Sequence, residues 1–135
     1  MKSKNIGKFL SSSDTDATRW KFLLGQSILK HGNYALVADD SMQGVYCAVF
    51  ASPEVQVYIQ DLSLQQVKLG IFNIGNKGGI IAKMKIFESE LKFCVCHLAS
   101  GQKTTHLKER LDQIDQIYEK AFSAGVSDAI RCLIS

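Results

Sequence analysis

Phe93-Cys94-Val95-Cys96-His97-Leu98-Ala99-Ser100-Gly101 is the stretch on which the fold of this chain turns. Leu91–His97 is apolar enough to predict a strand inside a sheet, covered on both faces. It ends in His97, followed by small residues. Strand ends are where sites gather in α/β sheets, and a histidine there can donate to a phosphoryl oxygen or shuttle a proton. The plainer role for such a histidine is a hydrogen bond to backbone or to a neighbouring carboxylate.

Working outward, Ile80–Phe87 pairs with this strand as a hairpin turning at Glu88-Ser89-Glu90. Before it lies Gly75-Asn76-Lys77-Gly78-Gly79, read as a glycine-rich loop with one cation inside it. Glycines let backbone N–H groups approach a phosphate, and an ammonium adds a point charge. The alternative is a glycine-rich β-turn with a solvated lysine. A Walker A motif is excluded, because Lys77 stands one place late, no Ser or Thr follows it, and Ile80–Met84 predicts a strand where that motif needs a helix. No GxGxxG is present.

Further out, Tyr34–Ala38, Val45–Phe50, Val55–Ile59 and Leu62–Leu69 read as strands, separated by Asp39-Asp40-Ser41, Ser52-Pro53 and Asp61. A helix is predicted over 15–31, with Trp20, Leu23, Leu24 and Ile28 on one face. A second is predicted over 105–123, with Leu107, Leu111, Ile114, Tyr118, Ala121 and Phe122 on one stripe. Arg110 lies early in that helix and could point back to the loop after His97, where its fork would suit a phosphate; alone it is one charge on an amphipathic helix. His31 and His106 fall at helix ends, as capping or solvated residues, and Asp39-Asp40 read as turn acids without a third metal ligand.

The chain has 135 residues, 46% hydrophobic and 21% charged, which fits one globular domain and excludes a disordered tail. A net charge of +3 is too weak a bias to announce nucleic acid or an anionic membrane, yet it leaves a phosphorylated small molecule open. No apolar run approaches the roughly 18 to 20 residues of a membrane span, and Met1–Lys8 lacks a signal-peptide core, so a cytoplasmic protein is expected. Cys47, Cys94, Cys96 and Cys132 lack CxxC spacing and read as buried thiols.

Taken in order, these features resemble the central part of an inositol polyphosphate 5-phosphatase domain, a branch of the endonuclease/exonuclease/phosphatase superfamily. The resemblance is carried by Trp20, Tyr34, Ser41-Met42-Gln43-Gly44-Val45, Val49-Phe50, Val67-Lys68-Leu69-Gly70, the Gly75–Gly79 loop, Phe93–Gly101 and Glu109-Arg110. Ile59–Leu64 through Val67-Lys68 is most similar to synaptojanin-type and plant-type members.

The resemblance implies a partial four-layer α/β sandwich with largely antiparallel strands and two flanking helices. It also implies Mg²⁺-dependent removal of the 5-phosphate from inositol phosphates or phosphoinositides. There a metal polarises the phosphoryl group while an aspartate-held water attacks in line. By the same resemblance His97 contacts the scissile phosphate, Asn76 and Lys77 border the substrate, and Arg110 matches an arginine of an Arg-Asn pair. Leu111 replaces the asparagine of that pair, and Gln113 stands where an aspartate is common.

The family's metal-binding Gln-Glu motif is expected before Asn5, and its catalytic Asp-containing motif after Phe122. The expectation is therefore a fragment, with residues 1–16 a polar segment, 17–125 a partial phosphatase domain and 126–135 a tail. This chain alone is expected to hold no metal and to release no phosphate. Its expected partners are inositol phosphates or phosphoinositide headgroups and the missing domain segments or a covering protein, with peripheral membrane contact allowed and nucleic acid excluded. The alternative is a non-catalytic binding or interaction module derived from that domain.

Overall fold

The chain is seen in a computed structural model that describes residues 12–70, 76–122 and 130–134. The elements run α1 (Ser12–Ile28), β1 (Ala35–Met42), β2 (Val45–Ala51), α2 (Pro53–Gln56), β3 (Ile59–Leu69), β4 (Lys77–Ile86), β5 (Ser89–His97), α3 (Thr104–Phe122) and β6 (Ile130–Ile134). β1 and β2 form a two-stranded sheet, and β3-β4-β5-β6 a four-stranded one. α1 packs on β1 and β2, these face the larger sheet, and α3 covers its far side against β3 and β4. The layers are therefore helix, sheet, sheet, helix. The expected partial four-layer sandwich is present, with antiparallel pairing everywhere except between β5 and β6.

The apolar character of β4 follows from its position. Because side chains alternate across a strand, Ile80, Ala82 and Met84 point toward β1 and β2 and pack with Met42, Val45 and Cys47. Ile81 points the other way and packs with Val67, Leu69, Cys96 and Ile117 of α3. A strand with neighbours on both faces and both edges carries apolar residues without a gap.

Several expectations are corrected. Asp39 and Asp40 do not form a turn: both lie within β1, and the hairpin reverses at Gln43-Gly44, where Met42 pairs with Val45. They sit mid-strand because each is satisfied there. Asp39 accepts from Lys21 Nζ and the Tyr46 hydroxyl, each at 3.1 Å. Asp40 accepts from Gln66 Nε2 at 2.9 Å, tying the two sheets together. Burial first, and the bond to Asp39 second, push the Tyr46 phenol up to about 12.

Val55–Tyr58 is not a strand, and of the expected segment only Ile59 belongs to one, as the first residue of β3. Pro53, whose ring presets a helical φ, starts the single turn of α2, and the N–H groups of Val55 and Gln56 donate to the Ser52 carbonyl. Nor does Asp61 end a strand: with φ 53° it forms a bulge between Gln60 and Ser63, and β3 continues through it. The β4–β5 turn falls one residue early, at Phe87-Glu88, because Ile86 pairs with Ser89. Within the segment expected as a tail, Ile130–Ile134 pairs in parallel with Lys92–Cys96.

The helices differ from expectation in which side they present. On α1, Leu24 and Ile28 are half-buried while Trp20 and Leu23 are exposed. On α3, Leu107, Leu111, Ile114 and Tyr118 face solvent, and the sheet side is built from Arg110, Gln113, Ile117 and Ala121. Cys47 and Cys96 are buried and unoxidised, and Cys94 is half-buried. The side chain of Cys132, and Gly75, lie outside the described residues.

Candidate functional site

Cross-strand register brings the two basic side chains of the site together. β4 starts at Lys77 and β5 ends at His97, and Gly78 pairs with His97 in the antiparallel ladder. Lys77 Nζ lies 2.8 Å from His97 Nε2. An ammonium has only donors, so in this contact Nε2 accepts. Both side chains are half-buried. Neither meets a carboxylate among the described residues.

The glycines of this motif serve the sheet. Lys77, Gly78 and Gly79 are strand residues, so their backbone groups belong to the ladders with β3 and β5 and do not form an open anion cradle. Gly78 has φ 132°, and a Cβ there would overlap the Val67 carbonyl oxygen. Only glycine lets the chain pass so close to β3 with Lys77 still at the sheet edge. Across the site, the Gln43-Gly44 turn borders the imidazole: a Cβ at Gly44 would lie 3.6 Å from His97 Cδ2.

Asn76 packs its side chain against Gly70, with Oδ1 buried and unpaired. A buried acceptor without a donor costs about 1–3 kcal/mol. Asn76 and Lys77 line a cleft of about 550 Å³ that also borders Ser100, His106, Gln113 and two carboxylates, Glu109 and Asp112. Lys77 thus touches both the cleft and His97.

Arg110 does point back to the loop after His97, as its place in the sequence suggested. Its Nη1 donates to the carbonyls of Gly101 at 2.9 Å and Ala99 at 3.2 Å. The amide of Ala99 donates to Gln113 Oε1 at 2.8 Å. Gln113, in sequence only a departure from the family pattern, is 6% exposed. The signal for its role was present: it lies three residues after Arg110 and four before Ile117, on the stripe that faces the sheet. His106, read as a helix-end residue, sits against Gly101 and 3.7 Å from Glu109.

Among the described residues no three His, Cys, Asp or Glu side chains gather to hold a metal ion. Asp39 and Asp40 are engaged on opposite faces of β1, by Lys21 and Tyr46 on one and Gln66 on the other. A hard divalent cation needs several converging oxygens, which these acids do not supply.

Two sheets lie face to face between helices, with a lysine and a histidine meeting at one sheet end, in a layered α/β sandwich. Residues 3–132 match the model of Endonuclease/Exonuclease/phosphatase family 2, and the chain belongs to that family. Within it the resemblance runs to the inositol polyphosphate 5-phosphatases. The chain is 32% identical over 117 residues to Synaptojanin-1 of Homo sapiens, covering 86% of this chain and 7% of that protein. It is 29% identical over 93 residues to Type I inositol polyphosphate 5-phosphatase 1 of Arabidopsis thaliana, covering 68% of this chain and 16% of that protein.

A crystal structure of the inositol polyphosphate 5-phosphatase domain of SpSynaptojanin, in complex with inositol (1,4)-bisphosphate and calcium ion, shares the fold. Its TM-score is 0.60 at 20% identity, over 90% of this chain and 34% of that one. The chain therefore spans about a third of the domain it superposes on and less of the full-length relatives.

Proposed function

We propose that this chain carries the phosphate-contacting wall of an inositol polyphosphate 5-phosphatase domain. The reaction is hydrolysis of a phosphomonoester: water oxygen bonds to phosphorus as the bond to the ring oxygen breaks, giving an alcohol and inorganic phosphate. The observation that carries this reading is the Lys77–His97 contact of 2.8 Å, with neither side chain ion-paired to a carboxylate among the described residues. Lysine and histidine held together without a counter-ion suit a ligand that brings its own negative charge. A phosphoryl oxygen takes up donors from Lys77 Nζ and from His97, and both stabilise charge on the phosphoryl oxygens during attack. Asn76 borders the same ligand from the cleft side.

In the complete domain Mg²⁺ would supply Lewis-acid polarisation of the phosphoryl group. The described residues hold no ligand set for it, so no step of this chain is routed through the ion. Alone, the chain binds headgroup and does not turn it over. The proposed location is cytoplasmic, with peripheral contact where the headgroup belongs to a lipid. No helix among the described residues is long and apolar enough to cross a membrane.

The test is calorimetric titration with inositol (1,4)-bisphosphate, with unphosphorylated inositol as control. Binding of the bisphosphate that weakens at least about tenfold in Lys77→Ala is expected, one charge-assisted hydrogen bond contributing about 1.5–3 kcal/mol. Equal affinity of the wild type and Lys77→Ala contradicts the reading. A second role, as a module covered by further polypeptide, is favoured by the exposed apolar stripe Leu107, Leu111, Ile114 and Tyr118 on α3.

A further inference from the structure

We propose that Arg110 and Gln113 are positioning residues: from the sheet-facing side of α3 they clamp the backbone after β5 and so fix His97 against Lys77. This inference rests on the reading of Lys77 and His97 as the phosphate contact and adds what holds that contact in place.

The need for a clamp follows from where the ladder stops. The last β4–β5 pair is Gly78 with His97, and β5 ends there. Ala99 comes two residues later and is buried, so its N–H and C=O need partners that no strand supplies. α3 supplies both: Gln113 Oε1 accepts from the Ala99 amide at 2.8 Å, and Arg110 Nη1 donates to the Ala99 carbonyl at 3.2 Å. The same nitrogen reaches the Gly101 carbonyl at 2.9 Å. Two side chains one helical turn apart thus continue the sheet's hydrogen bonding for the residues beyond its edge.

The far end of the loop is closed as well. Gly101 has φ 125°, a conformation that suits glycine, and a Cβ there would run into the His106 ring. The segment from His97 to Gly101 is therefore held at its start by β4, in its middle by Gln113 and Arg110, and at its end by His106. Hydrogen-bond geometry is steep in distance, so a shift of about 1 Å in this backbone breaks the 2.8 Å contact of His97 with Lys77. The Arg110 Nη1 is spent on carbonyls, which separates its task from that of Lys77. Gln113 supplies an acceptor to the Ala99 amide, and a glutamate side chain at that place would do the same.

The experiment uses the full chain with three variants: Gln113→Leu, which removes the acceptor; Gln113→Glu, which keeps an oxygen there; and Arg110→Met, which keeps the apolar stem and removes the donor. The His97 imidazole ¹⁵N and ¹H signals are recorded by long-range NMR, and inositol (1,4)-bisphosphate affinity is measured below each variant's melting temperature. Gln113→Leu is expected to shift or broaden the His97 ring signals and to weaken binding about tenfold, the scale of one buried hydrogen bond. Gln113→Glu is expected to restore the ring signals and to bring affinity within about threefold of wild type, a residual below one hydrogen bond's worth.

A folded Gln113→Leu protein with unchanged ring signals overturns the proposal, whatever its melting temperature, because a merely structural role moves stability alone. If Gln113→Leu does not fold, Arg110→Met decides by the same signals: shifted His97 ring signals support the clamp and unchanged ones overturn it. Should the wild type fail to bind the bisphosphate, the phosphate reading falls, and the ring signals still judge the clamp.

Discussion

The β4–β5 hairpin carries a basic pair at each end, and the two ends are finished differently. At the turn end, Lys83 and Lys92 are cross-strand partners and share Glu90, at 3.1 and 3.2 Å. Lys92 is only 3% exposed, so its charge needs that carboxylate, and both lysines hold Glu90 below the usual carboxylate range, Lys83 first. At the open end Lys77 and His97 are set 2.8 Å apart with no carboxylate among the described residues. One hairpin thus contains an ion cluster completed from within and a second pair without an acidic member among the described residues, which the proposed function assigns to an outside anion. The presence or absence of the third, acidic member separates a structural cluster from a candidate site.

The largest effect expected from breaking this contrast is on the frame of the open end. Gly78→Ala forces a Cβ onto the Val67 carbonyl and should cost about 3 kcal/mol, read by urea unfolding. Lys77→Ala, one residue earlier, should leave the urea midpoint close to wild type while weakening headgroup binding. Equal midpoints for Gly78→Ala and wild type would show that the glycine does not frame the site.

Glu90→Gln comes next, and it sharpens the turn end. It should lower the melting temperature at neutral pH and leave headgroup affinity unchanged. The sign with pH follows from the depressed carboxyl: the folded state binds its proton less readily, so the stabilisation is full above about 4.5 and is lost as pH falls through the folded value. The gap in melting temperature between wild type and Glu90→Gln should therefore close in acid. A gap that persists unchanged below that range would assign it to packing.

The smallest effect is a control away from both ends. Tyr46, on β2 with its hydroxyl on Asp39 of β1, should titrate in the native protein near pH 12 by ultraviolet absorbance. Its raised value favours the neutral form, so its contribution is complete below pH 10 and is lost as pH rises from 10 toward 12. Neither Lys77→Ala nor Glu90→Gln should move that curve. A curve that moves with either would couple Tyr46 to the hairpin.

Much of this was legible in the sequence where pattern and environment agree. The unbroken apolar run of β5 follows from a strand covered on both sides, and the same run marks His97 as the residue at a strand end. Lys77 stands out in the sequence too, although its glycines suggest a phosphate cradle; close passage of β4 past β3 at Gly78 leaves the same signature. Asp39-Asp40 misled because adjacent acids suit a turn, and their partners Lys21 and Gln66 are 18 and 26 residues away in the chain. The α3 stripe misled because apolar spacing says that a face exists and not which face meets the sheet. A buried glutamine serving a loop amide decided that, and no hydrophobic pattern encodes it.

The central claim is that the open end of the hairpin, and not the turn end, receives a phosphate. The direct measurement is a ¹H–¹⁵N NMR titration of the chain with inositol (1,4)-bisphosphate, following lysine ammonium, histidine ring and backbone amide signals. Shifts concentrated at Lys77, Gly78, His97 and Ala99, with Lys83, Glu90 and Lys92 unmoved, are predicted. Shifts centred on Lys83 and Lys92, or the same small shifts with unphosphorylated inositol, would contradict it.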